Sequence, residues 1–346
     1  MEDARPDQGP VVGASRGCDA PQVRSITKRD LSRAEIDSLL RRALGASVEL
    51  RDVVEFTDGW FNTTYGVTLV DDREVVVKVA PPPGLSLLRY EVDLMRTEIE
   101  FYRRAASAGL PLPVLRHADP DAGYLVMDRL RGQSLETAKQ AMSPAQLAAV
   151  RHQVGVWAAR LNTVTGARFG YPRRDGRTRS ASWRASFLAI MDDILADAVA
   201  YDRRLPASAT TVSRLVRRHA GLLDEVTRPA LVHFDLWDGN IFVRPDGDGF
   251  AVEGIIDGER AFYGDPLAEL VSLAVFADPA EVPGLLPGYL GRDELTEPER
   301  NRLRLYQIYL YLILLTEDAT RDYPAQEYEP VRQLAMTHLE AALARL

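Results

Sequence analysis

The sequence predicts an α+β protein with a small β-rich N-terminal lobe and a larger, mostly helical C-terminal lobe. Its 346 residues are more than one compact core usually holds. Up to Gly132 the apolar pattern is that of short strands around one helix, and beyond it the spacing turns to the helical period. These observations place the lobes at 25–127 and 128–346, with the boundary near Asp128. Residues 1–24, rich in Pro, Gly, Asp and Arg without periodicity, are expected to form a flexible tail.

The first helix opens at Ser32, where Ser32-x-x-Glu35 makes a capping box; Ile36, Leu39, Leu40 and Ala43 form its apolar stripe, and Gly45 ends it. Two strand-like runs, 64–70 and 74–80, flank the turn Asp71-Asp72, and Pro81-Pro82-Pro83-Gly84 stops the second. A helix over 87–108 ends at Gly109, and Leu110-Pro111-Leu112-Pro113 leaves it in extended form. The run 123–130 is a further strand. Ser143-Pro144-x-Gln146 joins a capping box to a proline at the first helical position and launches a helix to about Thr163. Helices follow at 183–200 and 214–225. Two short strands, 241–243 and 251–256, flank a Pro-Asp-Gly turn. Helices resume at Pro266, and Thr296-x-x-Glu299 caps a long one reaching about Thr316.

The chain is 46% apolar and 27% charged, which excludes wholesale disorder. No apolar run is long enough for a membrane-spanning helix. The opening MEDARPDQGP has neither a basic start nor an apolar core, so no secretory leader is expected. A single cysteine, Cys18, can make neither an internal disulfide nor a zinc cluster. A cytoplasmic monomer or homodimer with no membrane partner is the expectation. The net charge of −8 argues against a nucleic-acid partner held by a broad basic field. Most of the imbalance sits in 266–346, with 13 Asp or Glu against 7 Arg and no Lys. Only three of the 42 basic residues are lysines, Lys28, Lys78 and Lys139, and Lys78 is the one inside a strand. A lysine among so many arginines marks a place where a compact point charge on a thin stem is used.

The chemistry concentrates in Leu231-Val232-His233-Phe234-Asp235-Leu236-Trp237-Asp238-Gly239-Asn240, followed by Gly254-Ile255-Ile256-Asp257-Gly258-Glu259. An aspartate stands five residues before an asparagine, and the two short strands between would return Asn240 and Asp257 to one place. Phosphoryl transfer needs this set: a carboxylate beside the attacking hydroxyl and two oxygen ligands for magnesium on the nucleotide phosphates. The spacing is that of the protein-kinase catalytic loop, H-R-D-L-x-x-x-N, with its later metal-binding aspartate. Each piece alone has a plain alternative, since Asp235 could cap a turn and Asp257-Gly258 is an ordinary turn dipeptide. Lys78, in Val75-Val76-Val77-Lys78-Val79, could reach nucleotide phosphates. Glu98 on the following helix is its preferred partner, with Glu91 and Glu100 as alternatives. Thr57-Asp58-Gly59-Trp60-Phe61-Asn62-Thr63-Thr64 reads as a loop over phosphates, in which Asn62, Thr63 and Thr64 and backbone N–H groups do the cradling. It contains no G-x-G-x-x-G and no Walker A pattern.

On these stretches the chain resembles the aminoglycoside phosphotransferase family, antibiotic and small-metabolite kinases related in fold to protein kinases. The matching pieces are TDGWFNTTYGV, VVVKVA, the helix ending in GLPLP, YLVMDRLRGQSL, LVHFDLWDGNIFV and GIIDGERAFYGDPLAEL, in the family's order over roughly residues 30–275. The resemblance implies a bilobal, protein-kinase-like fold with an ATP or GTP site between the lobes and Lys78 paired to Glu98. It implies adenine contacts from the backbone around Asp128–Leu130, just after Met127. Asp235 would orient and deprotonate the acceptor hydroxyl, Asn240 and Asp257 would bind Mg²⁺, and Asp265 of Gly264-Asp265-Pro266 would be structural. Two positions depart from the family pattern. Leu161-Asn162 stands where many members have Leu-His, and Gly258 stands where an aromatic is common.

The acceptor is expected to be a small hydroxylated molecule. The acidic C-terminal excess favours a polyamine-like one such as an aminoglycoside, with Glu269, Asp278, Glu317 and Asp318 as candidate ammonium contacts, and so a resistance or self-protection role. A basic loop holding Arg168, Arg173, Arg174, Arg177 and Arg179 would suit an anionic or nucleoside-like acceptor if it faced the cleft. Tyr306, Tyr309 and Leu310 recur at the spacing of a core helix. The alternatives are a metabolic or antibiotic-biosynthetic kinase for choline, homoserine, a sugar or a nucleoside, and a non-catalytic binding protein on the same fold. The presence of Lys78, Asp235, Asn240 and Asp257 together disfavours the last.

Overall fold

The computed structural model describes residues 25–57, 59–323 and 325–346; the expected tail at 1–24, with Cys18, and Asp58 of the loop lie outside them. Strands β1 (Leu50–Phe56), β2 (Thr63–Leu69), β3 (Glu74–Val79), β4 (Leu115–Asp119) and β5 (Tyr124–Asp128) form one antiparallel sheet of order β1-β2-β3-β5-β4. The two-residue period of β3 divides its side chains. Val75, Val77 and Val79 pack with Ile36 and Leu40 of helix α1 (Arg33–Leu44), whose Ser32–Glu35 capping box forms as the sequence predicts. Val76 and Lys78 point to the opposite face, toward helix α2 (Leu94–Ala105), which buries Met95, Ile99, Phe101 and Tyr102. The edge strands β1 and β4 were not expected from the sequence. Both are half-exposed, carry charged residues and contain a register shift, so neither shows clean alternation. Helix α2 starts later than predicted, because Asp93 adopts a left-handed conformation (φ 65°) and breaks the run from 87.

Two small sheets hold the middle of the chain. Strand β6 (Gln133–Ser134) pairs with β8 (Ile241–Asp246), which forms a hairpin with β9 (Gly249–Ile255). Strand β7 (Ala230–Val232) pairs with β10 (Phe262–Gly264). The helices are α3 (Leu135–Ala138), α4 (Pro144–Leu161), α5 (Trp183–Ala200), α6 (Ala209–His219), α7 (Glu269–Leu273), α8 (Leu285–Leu290), α9 (Glu297–Thr316), α10 (Asp318–Arg321) and α11 (Ala325–Ala344). The caps at Ser143 and Thr296 form as read, and α6 begins earlier than expected, on the N-cap Ser208. Helix α9 is the axis of the larger core. Its residues from Leu305 to Ile313 are buried nearly all round, so Tyr306, Tyr309 and Leu310 are core residues. Trp183 stacks on Phe262 (centroids 5.5 Å apart) and donates its indole N–H to Tyr306 Oη at 2.9 Å. Among the described residues no helix is long and apolar enough to cross a membrane.

Candidate active site

The β8–β9 hairpin joins the two halves of the motif. Ile241 pairs with Ile255, and the Ile256 N–H bonds the Asn240 carbonyl at 3.0 Å, so Asn240 and Asp257 stand side by side at the hairpin's open end. The Asn240 side-chain amide donates to the Asp235 carbonyl at 2.8 Å, and its Oδ1 has no partner among the described residues. His233 fixes the loop from below. Burial pushes its imidazole down to about 4, so the ring is neutral. Its Nδ1 accepts the Asp235 N–H at 3.2 Å, and its Nε2–H donates to the Ile256 carbonyl at 2.9 Å. Phe234, between them, is a buried non-glycine residue at φ 62°.

Glu269 of α7 holds this strained turn, its two oxygens accepting the His233 N–H at 2.8 Å and the Phe234 N–H at 3.1 Å. Burial pushes its carboxyl up to about 7 against these donors. Glu269→Ala leaves both buried N–H groups without an acceptor and should cost about 2–4 kcal/mol. Denaturant unfolding measures it, and a loss below ~1 kcal/mol would show that water replaces the carboxylate.

Lys78 is buried at 6% exposure and sits among three carboxylates, 2.8 Å from Glu98 and 3.2 Å from Glu259 and in direct contact with Asp257. The alternative partners go elsewhere: Glu91 pairs with Arg321, and Glu100 accepts from Tyr263 Oη. Burial and the neighbouring Asp257 push the Glu259 carboxyl up to about 8, and burial pushes Glu98 to about 7. Burial would also raise Asp257, but Lys78 overcomes it and holds the carboxyl below its ordinary value. Asp257 is left-handed (φ 68°), and its N–H donates to Tyr102 Oη at 3.2 Å.

Asp235, half-buried, lies at the other end of the loop. Burial pushes it up to about 6, opposed by Arg260, whose guanidinium lies 3.4 Å away. Arg260 also donates to Glu317 at 2.8 Å. Glu317 and Arg321 (3.2 Å), Glu91 and the hydroxyls of Tyr90, Tyr323 and Tyr328 complete a buried polar network beside Asp235. The Arg321 guanidinium lies 4.8 Å from the Phe61 ring centroid, and Trp60 packs edge-on against Tyr323 at 4.6 Å. The 59–62 loop is thereby clamped onto the C-terminal helices.

The side chains of the 62–64 segment fall on two faces. Thr63 is paired with Val79, facing away from Lys78, and is fully buried with its hydroxyl accepting the Arg29 N–H at 2.7 Å. Thr64, paired across from Lys78, shares its face. The Asn62 amide donates to Glu259, while the Asn62 carbonyl accepts from Lys28 Nζ at 2.6 Å. After Met127, which is buried, the Asp128 N–H is committed to the Val114 carbonyl at 3.0 Å and its carboxylate to Arg116 at 2.7 Å. Leu130 keeps its N–H free among the described residues and lays its side chain against Gly254.

The model of the phosphotransferase enzyme family (APH) matches residues 52–306, which includes these site residues except Lys28, Arg29 and those beyond Tyr306. The chain belongs to this family. No curated protein sequence matches it. Among solved structures it is similar to a putative fructosamine-3-kinase from Thermobifida fusca, at 20% identity and TM-score 0.64 over 91% of this chain and 100% of that one. It is also similar to a choline/ethanolamine kinase family protein from Mesorhizobium loti, at 21% identity and TM-score 0.61 over 90% and 94%. A thermostable mutant of an aminoglycoside phosphotransferase, in ternary complex with AMP-PNP and hygromycin B, matches at 19% identity and TM-score 0.57 over 90% and 98%. At these identities the likeness is one of fold, the protein-kinase-like α+β architecture expected from the sequence.

The phosphotransferase's two departures from the family pattern each have a local cause. A Cβ at residue 258 would strike the Phe101 ring of α2, so with this packing the turn after Asp257 has room only for glycine. Asn162 braces the loop: its amide donates to the Leu231 carbonyl at 2.8 Å and to Glu269 at 3.4 Å, and its Oδ1 accepts from Tyr289 Oη at 2.6 Å. Asp265 is structural as expected, capping Leu267 and binding Arg302 and Tyr306. Sequence reasoning missed Glu259, Arg260 and Lys28 as parts of the site. Lys28 carried one signal, its rarity as a lysine. The candidate ammonium contacts of the acceptor are otherwise employed: Glu269 and Glu317 as above, Asp318 by Arg203 and Arg332, and Asp278 in capping the Ala280 N–H.

Proposed function

We propose that this phosphotransferase transfers the γ-phosphoryl group of ATP or GTP to a hydroxyl of a small molecule, with an aminoglycoside or related antibiotic as the first acceptor class. The observation that carries the reading is the meeting of Lys78, Glu98 and Asp257 in one cluster while Asn240 links that cluster to Asp235. Lys78, held by Glu98, faces the nucleotide phosphates, with Lys28 and Thr64 beside it. The Leu130 N–H is the hinge donor for the base. Asp235, made a better base by burial, orients the acceptor hydroxyl and takes its proton. Arg260 keeps that carboxylate aimed and ionised. Positioning and charge neutralisation supply most of the rate.

The oxygen donors suit Mg²⁺, since Asn240 Oδ1 has no partner among the described residues and one carboxylate oxygen from each of Glu98, Asp257 and Glu259 lies within 4.8 Å of the others. Asn240 and Asp257 would hold the ion, which neutralises phosphate charge when bound. Asp257→Ala should therefore weaken nucleotide binding at least ~10-fold with magnesium present and little without it. Calorimetric titration in both conditions checks this, and an equal loss in both would remove Asp257 from the metal site.

A second reading, a metabolic or biosynthetic kinase for another small alcohol, is favoured by one observation. The four acidic residues expected to meet a polyamine are committed to internal partners. Mass spectrometry of an acceptor pool incubated with protein, ATP, GTP and magnesium separates the two. A phosphoryl adduct on an aminoglycoside, absent with Asp235→Asn, supports the first; an adduct only on a choline, sugar or nucleoside supports the second. Nucleotide binding without any adduct across the pool would oppose both.

A further inference from the structure

The arginine loop does not join the Lys78 cluster. Part of it is spent on internal pairs, Arg173 with Asp175, Arg174 with Asp121 and Arg177 with Asp193. Arg168 and Arg179 instead line a cavity of about 400 Å³ together with Arg96, Glu100, Arg103 and Arg104 of α2. At 3.6 residues per turn, positions 96, 100, 103 and 104 fall on the side of α2 opposite Glu98. The cavity is thus walled by the back of α2 and by the loop of the larger lobe, and is separate from the candidate active site.

Its charge is unbalanced. Arg96 has Asp121 at 2.9 Å, although its buried Nε has no partner. Arg104 has Glu100 at 3.8 Å and donates to the Thr165 carbonyl at 2.9 Å. Among the described residues Arg103, Arg168 and Arg179 have no acid within 4 Å, in a chain whose net charge is −8. Arg103, Arg168 and Arg179 are solvent-exposed, and the repulsion that water and salt leave among like charges around one cavity is relieved by a bound counter-anion. A guanidinium fork binds oxyanions in bidentate fashion, and three separate forks match a dianion with three equivalent oxygens better than a singly charged carboxylate with two.

We propose that this cavity is a binding site for a phosphate group, held chiefly by Arg103, Arg168 and Arg179 and bridging α2 to the 166–179 segment. Occupancy braces α2, and with it Glu98, from the side away from Lys78. The test is thermal unfolding of the full chain titrated with inorganic phosphate, with ionic strength held constant by potassium chloride. The wild type should show a saturable rise in Tm of roughly 2 °C or more. Arg103→Gln/Arg168→Gln should lose more than half of that rise. Without phosphate the same variant should unfold no lower than wild type, because it relieves repulsion and breaks no ion pair. Arg179→Gln is an independent second variant. Acetate at matched concentration should give no saturable rise. An equal phosphate response in wild type and both variants would place binding elsewhere, the nucleotide cleft included. That result, no response in the wild type, or an equal response to acetate would overturn the proposal.

Discussion

Asp235→Asn is expected to lower turnover by about 10²- to 10⁴-fold, the usual share of a general base, while leaving nucleotide affinity within a factor of about two. The fold should survive, because Arg260 keeps Glu317 as its charged partner and the loop's backbone bonds to His233, Glu269 and Asn240 do not involve the Asp235 carboxylate. The same assignment fixes a pH dependence. Asp235 is raised to about 6 and acts only when ionised, so turnover should fall as pH drops through about 6 and level off above it. Steady-state kinetics of both proteins across pH measures this. Retained turnover in the variant, or a wild-type profile flat from neutral pH down to 5, would take the proton-accepting role away from Asp235.

Glu317→Ala should be the most destabilising single change in the site, at roughly 3–5 kcal/mol. Burial alone would raise the Glu317 carboxyl, but Arg321 and Arg260 hold it ionised below its ordinary value. It is 3% exposed and also accepts from Tyr90 and Tyr328, so its removal takes a buried charged partner from two guanidiniums and an acceptor from two hydroxyls. Arg260 would fall back on Asp235 alone and Arg321 on Glu91. Activity should drop with stability, since the Phe61 loop rests on Arg321. Equilibrium unfolding in denaturant gives the stability loss, and a value below ~1.5 kcal/mol would mean that the network repacks around the gap.

The order of elements was largely legible, and the reasons are local. Capping boxes at Ser32, Ser143 and Thr296 act within one turn of chain, and β3 follows from its own run of β-branched valines. Edge strands β1 and β4 were not legible because half-exposed, bulged backbone carries no clean period. The late start of α2 was not legible because Asp93 at φ 65° leaves no signature in the apolar spacing. The candidate catalytic-loop residues were read from type and spacing, whereas the register that pairs Thr64 with Lys78 and turns Thr63 to the other face is set by the pairing of two strands.

By itself the sequence determined the α+β class, the two-lobe order, the candidate site residues Lys78, Asp235, Asn240 and Asp257, and the likeness to phosphotransferases. Each depends on neighbours in the chain or on a short motif. Only the tertiary structure decided which glutamate meets Lys78, that Glu259, Arg260 and Lys28 adjoin the site, that the acidic C-terminal residues are spent on arginines, and that Arg168 and Arg179 face the back of α2. The physical reason is that a charge's partner and its burial are set by segments up to 231 positions apart, as for Tyr90 and Arg321. Opposite charges attract alike from any position in the chain, so the choice among fifty acids and forty-two bases is made by packing and not by sequence distance.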